Sequence, residues 1–234
     1  MKIDVLTLFP EFFSSPLNES LLKKAIDKDL LSVNRINIRE FSQNKYHKVD
    51  DYPYGGGQGM VMAVEPIVLA YESIPKEKNS KTIFLSPQGQ LLTQAKAKDL
   101  AAYDQLILLC GHYEGVDERA INLIVDEEIS IGDYILTGGE LPALVLIDAI
   151  SRHIDGVVGS KTSVEEDSLS DGLLKYPQYT MPRSFRGEEV PEILLSGHHK
   201  NIENWRRELS LRRTQNKRPD LWASYNNKLK KEGK

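Results

Sequence analysis

Residues 106–115 read LILLCGHYEG, five apolar residues followed by a turn that begins and ends with glycine. An unbroken apolar run of this length is typical of a strand that is covered on both faces, as in a parallel sheet. The same pattern recurs at Thr82–Leu85, which leads into Leu85-Ser86-Pro87-Gln88-Gly89, and before residues 131–139, IGDYILTGG. The pattern predicts three buried strands, each followed by a turn that contains glycine.

Helical segments separate the predicted strands. Two further strands are predicted at Ile3–Leu8 and Ser32–Ile38. Apolar residues three and four positions apart predict the helices Glu19–Lys28, Glu65–Ser73, Thr93–Ala102, Asp117–Val125 and, roughly, Leu141–Ile154. The alternation predicts an α/β domain with a largely parallel sheet, because parallel neighbours need a crossover that is usually helical.

The pattern changes after Gly156. Residues 156–171 are small, polar and acidic, without an apolar period, and this composition favours a mobile linker. Two helical segments follow, about Lys200–Arg213 and Pro219–Lys231. We therefore predict a first domain over residues 1–158, a flexible linker over 159–173 and a small, mainly helical second domain over 174–234.

Positive charge is concentrated at the end of the chain. The whole protein has a net charge of −4, yet residues 200–234 hold eleven Lys or Arg and four Asp or Glu, a balance of 11 − 4 = +7. A solvated basic helix and a phosphate-binding surface explain this charge about equally well.

Several classes of protein are disfavoured. The one cysteine, Cys110, cannot form an internal disulfide, so a reducing, cytoplasmic location is expected. The first residues do not resemble a signal peptide. The longest apolar stretch, Leu141–Ile150, is interrupted by Pro142 and Asp148, so no segment is expected to cross a bilayer.

The three glycine turns predict a ligand pocket. The carboxyl ends of parallel strands meet at one edge of the sheet, and glycine lets a ligand approach the backbone there. The phosphate-binding patterns G-x-x-x-x-G-K-[ST] and G-x-G-x-x-G after the first strand are missing, which favours a ligand poor in phosphate. The five histidines lack H-E-x-x-H spacing, so a dedicated metal site is not predicted.

A fourth glycine-rich segment, residues 52–60 (YPYGGGQGM), lies earlier in the chain. Four glycines in five positions carry a large entropic cost on ordering. A flexible surface loop and a loop that approaches RNA or a cofactor closely are both consistent with this composition.

Together these segments resemble the bacterial tRNA (guanine-N1) methyltransferase family over nearly the whole chain. The resemblance rests on the following motifs: Leu6-Thr7-Leu8-Phe9-Pro10, Val49-Asp50-Asp51 leading into residues 54–60, residues 85–89, residues 110–119, residues 131–142, Glu166-Asp167-Ser168, and residues 194–199, LLSGHH. It implies a SPOUT-type α/β domain with a deep trefoil knot, which transfers a methyl group from S-adenosyl-L-methionine to N1 of guanine 37 in tRNA.

The resemblance also implies which residues hold the methyl donor. The matching positions are the three glycine turns already identified. They are Leu85, Ser86, Pro87, Gln88, Gly89, Gly111, Tyr113, Glu114, Gly115, Ile131, Gly132, Asp133, Tyr134, Ile135, Leu136, Gly138, Gly139 and Pro142.

By the same resemblance, Asp167 is the general base and Arg152 its partner on the acceptor guanine. Guanine N1 carries a proton that must leave, and a carboxylate within hydrogen-bond reach can remove it. Arg152 can stabilise the charge that develops on O6. Without the resemblance, Asp167 would be interpreted as a solvated acid and Arg152 as a salt-bridged residue at the end of a helix.

Partners are implied as well. Members of the family are homodimers with the active site at the subunit interface, the second domain binds the tRNA anticodon stem-loop, and Mg²⁺ assists catalysis. An unpaired loop exposes the Watson–Crick edge that carries N1, so an anticodon-loop base is a chemically sensible target. The linker is expected to order when RNA binds.

The sequence departs from the family pattern at Lys175, where an acid is usual, and at Met181, where Arg or Lys is usual, so donor or RNA contacts by these side chains are in doubt. His112 is a variant that we expect to be tolerated. Two alternatives stay open: a related knotted methyltransferase that acts on ribosomal RNA, and a non-catalytic RNA-binding module.

Overall fold

The computed structural model describes residues 1–159 and 167–231. The chain divides into two compact units, Met1–Gly159 and Ser160–Lys234. Much of the predicted linker, residues 160–166, lies outside the described residues.

A five-stranded sheet forms the centre of the first unit. Its strands are β1 (Lys2–Thr7), β2 (Ser32–Asn37), β5 (Ser80–Leu91), β6 (Gln105–Cys110) and β7 (Glu127–Ser130), in the order β2-β1-β6-β5-β7. Every neighbouring pair is parallel, so the predicted parallel α/β architecture is confirmed. The short strands β3 (Asp50–Asp51) and β4 (Val61–Met62) pair with each other in a separate antiparallel ribbon.

Helices cover both faces of this sheet. The first unit contains α1 (Ser14–Leu17), α2 (Ser20–Asp27), α3 (Val64–Glu72), α4 (Gln94–Leu100), α5 (Glu118–Ile124) and α6 (Glu140–Ser151), with short 3₁₀ helices at Pro10–Phe13 and Ile38–Phe41. On β6, Leu106 and Leu108 face a core shared with α2, α4 and α6, whereas Ile107 and Leu109 face a core shared with α3 and α5. This two-sided burial explains the continuous apolar run of β6.

Strand β5 is longer than the sequence predicts. It continues beyond Leu85 to Leu91, and both Leu85 and Gln90 pair with Ile129 of β7. The register therefore shifts at the predicted turn, and residues 86–89 bulge out of the strand before it rejoins the ladder. The expectation that the strand ends at Leu85 was wrong, because pairing with β7 resumes after the bulge.

The second unit is mainly helical. It contains α7 (His199–Lys217) and α8 (Pro219–Lys231), a 3₁₀ helix at Glu192–Leu195, and the two-residue strands β8 (Ser184–Phe185) and β9 (Glu188–Glu189). Thr214 is fully buried on α7, where its hydroxyl donates to Ser210 O and accepts a hydrogen bond from Leu174 N. This contact fixes the chain before the 3₁₀ helix against α7.

Candidate active site

The three glycine turns converge on one cleft of about 290 Å³ at the carboxyl edge of the sheet. The cleft is lined by residues from all three turns and from the strand ends beneath them. The lining residues are Phe84, Leu85, Ser86, Pro87, Gly111, His112, Tyr113, Glu114, Gly115, Ile129, Ser130, Ile131, Gly132, Tyr134, Ile135, Leu136, Thr137, Gly138, Gly139 and Pro142. The juxtaposition that the strand-turn pattern predicts is therefore present.

Three of the residues predicted to hold a ligand do not line this cleft, although all three are described. They are Gln88, Gly89 and Asp133. Conversely, His112 and Thr137 line the cleft but were not among the predicted ligand-binding residues. His112 lies between predicted positions, so its place in the turn could have indicated its exposure to the cleft.

Gly89 and Gly139 allow backbones to pack against each other. A Cβ on Gly89 would lie 2.5 Å from Glu128 O on β7, and one on Gly139 would lie 2.6 Å from Cys110 Cα at the end of β6. Gly139 N also donates to Gly111 O at 2.9 Å. Gly139 therefore brings the third turn against the second, and Gly89 lets the first turn pack against β7.

The turn after β6 has a strained backbone. Tyr113 adopts φ +60°, a left-handed conformation that is uncommon for a residue with a side chain, and Gly115 adopts φ +145°. Arg39 Nη2 donates to the Tyr113 hydroxyl at 3.4 Å. A strained turn at a cleft is typical of a functional position.

Cys110 ends β6 directly beneath the turn and is fully buried. Burial, and to a lesser extent the charge of Glu140, raises the pKa of the Cys110 thiol well above its ordinary value. A thiol in this environment is a packing group and not a nucleophile.

The glycine-rich segment of residues 52–60 is attached to the same turn. Glu114 N donates to Met60 O at 3.0 Å, and Met62 N donates to Gly115 O at 2.9 Å. Gly59 packs against Glu114 so closely that a Cβ would lie 2.7 Å from Glu114 Oε1. Tyr54, by contrast, is 98% exposed. The loop thus borders the cleft at one end and presents an aromatic side chain to solvent at the other.

The two residues predicted to perform proton chemistry lie in different units. Arg152 directly follows α6 as its C-cap residue, in the first unit. Asp167 lies in the second unit, where Lys175 Nζ is 3.5 Å from Asp167 Oδ1. Asp167 and Lys175 line a second cleft together with Tyr176, Arg206 and other residues of α7.

Some of the cationic side chains of helix α7 interact with other residues of the second unit. Arg207 Nη1 lies 2.6 Å from Asp171 Oδ2, and the Arg206 guanidinium lies 4.7 Å from the centre of the Tyr176 ring. Lys200, Arg212 and Lys217 are exposed to solvent. Solvent-exposed cations therefore remain on this helix.

Within residues 1–159 and 167–231, no cluster of His, Cys, Asp and Glu side chains is grouped closely enough to hold a metal ion. No helix in those ranges has both the length and the apolar composition of a membrane span.

Comparison with known proteins matches residues 1–224 to the family tRNA (guanine-1)-methyltransferase TrmD. A tRNA (guanine-N(1)-)-methyltransferase of Carboxydothermus hydrogenoformans is 61% identical over 221 residues, which cover 94% of this chain and 87% of that protein. The protein of the same name from Clostridioides difficile is 53% identical over 231 residues, covering 97% of this chain and 100% of that protein. Since the match spans almost the whole chain and the identity is this high, the protein belongs to the tRNA (guanine-1)-methyltransferase family.

Proposed function

We propose that this enzyme transfers a methyl group from S-adenosyl-L-methionine to N1 of guanine 37 in tRNA, next to the anticodon. The observation that carries the proposal is the convergence of three glycine turns on one cleft, in a chain of the tRNA (guanine-1)-methyltransferase family. Family membership supports tRNA as the substrate and guanine N1 as the atom that is methylated. The lining of the cleft supports S-adenosyl-L-methionine as the methyl donor.

The chemistry of the cleft fits this donor. Glu114 is the one carboxylate among its described lining residues, and these include no Lys or Arg. Such a lining suits a cationic ligand better than a nucleotide phosphate, because an anionic group there would lack a positive partner. S-adenosyl-L-methionine supplies an activated methyl group on a positively charged sulfur. Backbone groups of the turns at Gly111 and Gly138 can bind its polar edges, while Ile131 and Leu136 cover its apolar surface.

Proton removal is assigned to Asp167. Guanine N1 becomes nucleophilic as its proton passes to a carboxylate oxygen, and the new N–C bond then forms as the methyl–sulfur bond breaks. Arg152 donates hydrogen bonds to O6, where electron density accumulates as N1 loses its proton. The sum of these steps is methylated guanine, the demethylated donor and one proton held by Asp167.

We further propose that the active enzyme is a cytoplasmic homodimer in which Asp167 serves the donor cleft of the partner subunit. The exposed cations of α7 support binding of the tRNA anticodon stem-loop by the second unit. Magnesium would act together with the substrates, since Mg²⁺ is usually held by one or two carboxylates and by oxygens of the bound substrate. The trefoil knot of the SPOUT type stays part of this proposal, supported by membership of the family alone.

A labelled-donor assay tests the substrate. The protein is incubated with tRNA that carries guanine at positions 36 and 37, and in parallel with the same tRNA in which guanine 37 is replaced. Label on the first RNA alone is expected. Equal labelling of both RNAs would reject the assignment to guanine 37. In a third incubation with ribosomal RNA, labelling of that RNA and of neither tRNA would favour the related rRNA enzyme.

A pair of variants tests the base. Asp167→Asn should lower the rate by about 10²- to 10⁴-fold, the range typical of general base catalysis, while donor binding persists. Asp171→Asn is the matched control, because Asp171 is a nearby acid whose partner is Arg207. Full activity of Asp167→Asn, or an equal loss in both variants, would reject the assignment of the base.

A further inference from the structure

Glu140, the first residue of α6, is a buried carboxylate that the proposed reaction does not use. The residue is 3% exposed. A carboxylate in the interior is costly unless its oxygens accept hydrogen bonds. Thr7 Oγ1 donates to Glu140 Oε1 at 2.7 Å, and His112 Nε2 lies 3.2 Å from Glu140 Oε2. Both carboxylate oxygens therefore have a partner.

These three side chains come from separate parts of the chain. Thr7 ends β1, His112 lies in the turn after β6, and Glu140 follows the third glycine turn. His112 lines the cleft, whereas Glu140 is buried and is not among the lining residues. The carboxylate thus connects the wall of the cleft to the carboxyl end of β1.

Neighbouring residues hold the Glu140–His112 contact in place. A Cβ on Gly138 would lie 2.6 Å from both Glu140 Oε2 and His112 Cδ2, so a larger residue there would separate the pair. The Phe9 ring packs on the His112 ring with centroids 4.7 Å apart, and Phe9 N donates to Thr7 Oγ1 at 2.9 Å. The imidazole is therefore held on two sides.

We propose that Thr7, Glu140 and His112 are positioning residues that hold the Gly111–Gly115 turn against the Gly138–Gly139 turn in the shape that binds the methyl donor. This inference rests on the proposed function of the cleft. The turn needs such a restraint because the backbone at Tyr113, directly after His112, is strained at φ +60°. A strained turn keeps its shape only while its surroundings enforce it. The Glu140–His112 contact supplies that restraint on the side away from the ligand.

A positioning role for His112 affects donor binding, whereas a purely structural role would affect only stability. Removing the imidazole loosens the turn, so donor binding must then carry the cost of ordering it. The surfaces proposed to hold tRNA and the proposed base, Asp167, are unchanged. The variant should therefore bind the donor more weakly and have a higher KM for it. Its KM for tRNA and its kcat at saturating donor should be unchanged.

The test measures binding of S-adenosyl-L-homocysteine, the demethylated donor, by calorimetry, alongside steady-state kinetics and urea unfolding. His112→Ala should weaken binding about tenfold, as expected for loss of one hydrogen bond to a charged group. His112→Gln should stay within about threefold of wild type, because its amide can donate to the same carboxylate. Gly138→Ala should weaken binding at least as much as His112→Ala.

His153→Ala is the matched control. His153 is a half-buried histidine of the same unit, and its Nε2 lies 3.1 Å from Gln94 Nε2, away from the cleft lining. It should bind the ligand as wild type does. Unchanged binding by His112→Ala would overturn the inference, and so would a lower urea midpoint with unchanged donor affinity. If the wild-type protein binds no S-adenosyl-L-homocysteine, the proposed function is overturned as well. If wild type binds it and His112→Ala binds it equally well, only the positioning role is overturned.

Discussion

The Lys175 ammonium lies 3.5 Å from Asp167 Oδ1, so the proposed base is paired with a cation from its own unit. Both side chains are partly accessible, with exposed fractions of 21% for Lys175 and 32% for Asp167. An ion pair of this exposure is weak, because water and salt screen it. Lys175 is one of the two positions at which the sequence is predicted to depart from the family pattern.

Removing the lysine should speed methyl transfer. The cation stabilises the ionised carboxylate more than a carboxylate that is receiving a proton, so it favours the ground state over the transition state. We expect Lys175→Met to raise the single-turnover rate, by up to about fivefold given the weakness of exposed pairs. Lys23→Met, which breaks the exposed Lys23–Asp27 pair on α2, is the control. A slower rate for Lys175→Met would show that the lysine assists the base.

Gly89 is predicted to matter for stability and not through ligand contact. Its added Cβ would meet the backbone of β7, which cannot move aside as a flexible side chain can. Gly89→Ala should therefore lower the free energy of unfolding by about 1–3 kcal/mol, the usual cost of overpacking. Urea denaturation measures this loss. Gly159→Ala, at a position with open space around it, should leave the urea midpoint unchanged, and a Gly89→Ala midpoint equal to wild type would contradict the steric argument.

The sheet was largely predictable from sequence, and the reason is local. β6 and the first part of β5 are recognisable as apolar runs, since both faces of these inner parallel strands are buried, whereas β2 is a polar edge strand with no buried residue. β7 was harder to identify, because Glu127 and Glu128 occupy two of its four positions. The extension of β5 to Leu91 depends on pairing with β7, a tertiary contact that local patterning does not encode.

The candidate site was predictable only in part. The glycine turns follow the strands, so the edge rule for parallel sheets brings them together. The contact between His112 and Glu140 spans residues that look unrelated in sequence, and its significance depends on burial that only the fold reveals. The roles of Asp167 and Arg152 came from family resemblance, because a solvated acid and a residue at a helix end carry no chemical signature of their own.

Cys110 should resist alkylation in the native protein. The thiolate is the reactive form, and burial raises the pKa of this thiol well above its ordinary value. Incubation with iodoacetamide at pH 8 should leave the folded chain unmodified, whereas the urea-unfolded chain should take up one equivalent. Mass spectrometry counts the adducts. Rapid modification of the folded protein would indicate that the end of β6 opens frequently.

Glu127 should make stability depend on pH at the acidic end. Burial alone would raise the pKa of this carboxyl, but hydrogen bonds from Lys81 and Lys96 outweigh it and lower the pKa below its ordinary value of 4.5. The folded state therefore holds the ionised form more tightly than the unfolded chain does. This contribution is complete above the unfolded-state pKa and is lost as pH falls through the folded-state value. Urea midpoints measured from pH 7 down to pH 3 should fall more steeply below about pH 4.5 for wild type than for Glu127→Gln, which cannot titrate. Asp27→Asn, which removes an exposed acid of the Lys23 pair, should follow the wild-type curve. Parallel curves for wild type and Glu127→Gln would show that the ion pairs of Glu127 with Lys81 and Lys96 do not contribute to acid sensitivity.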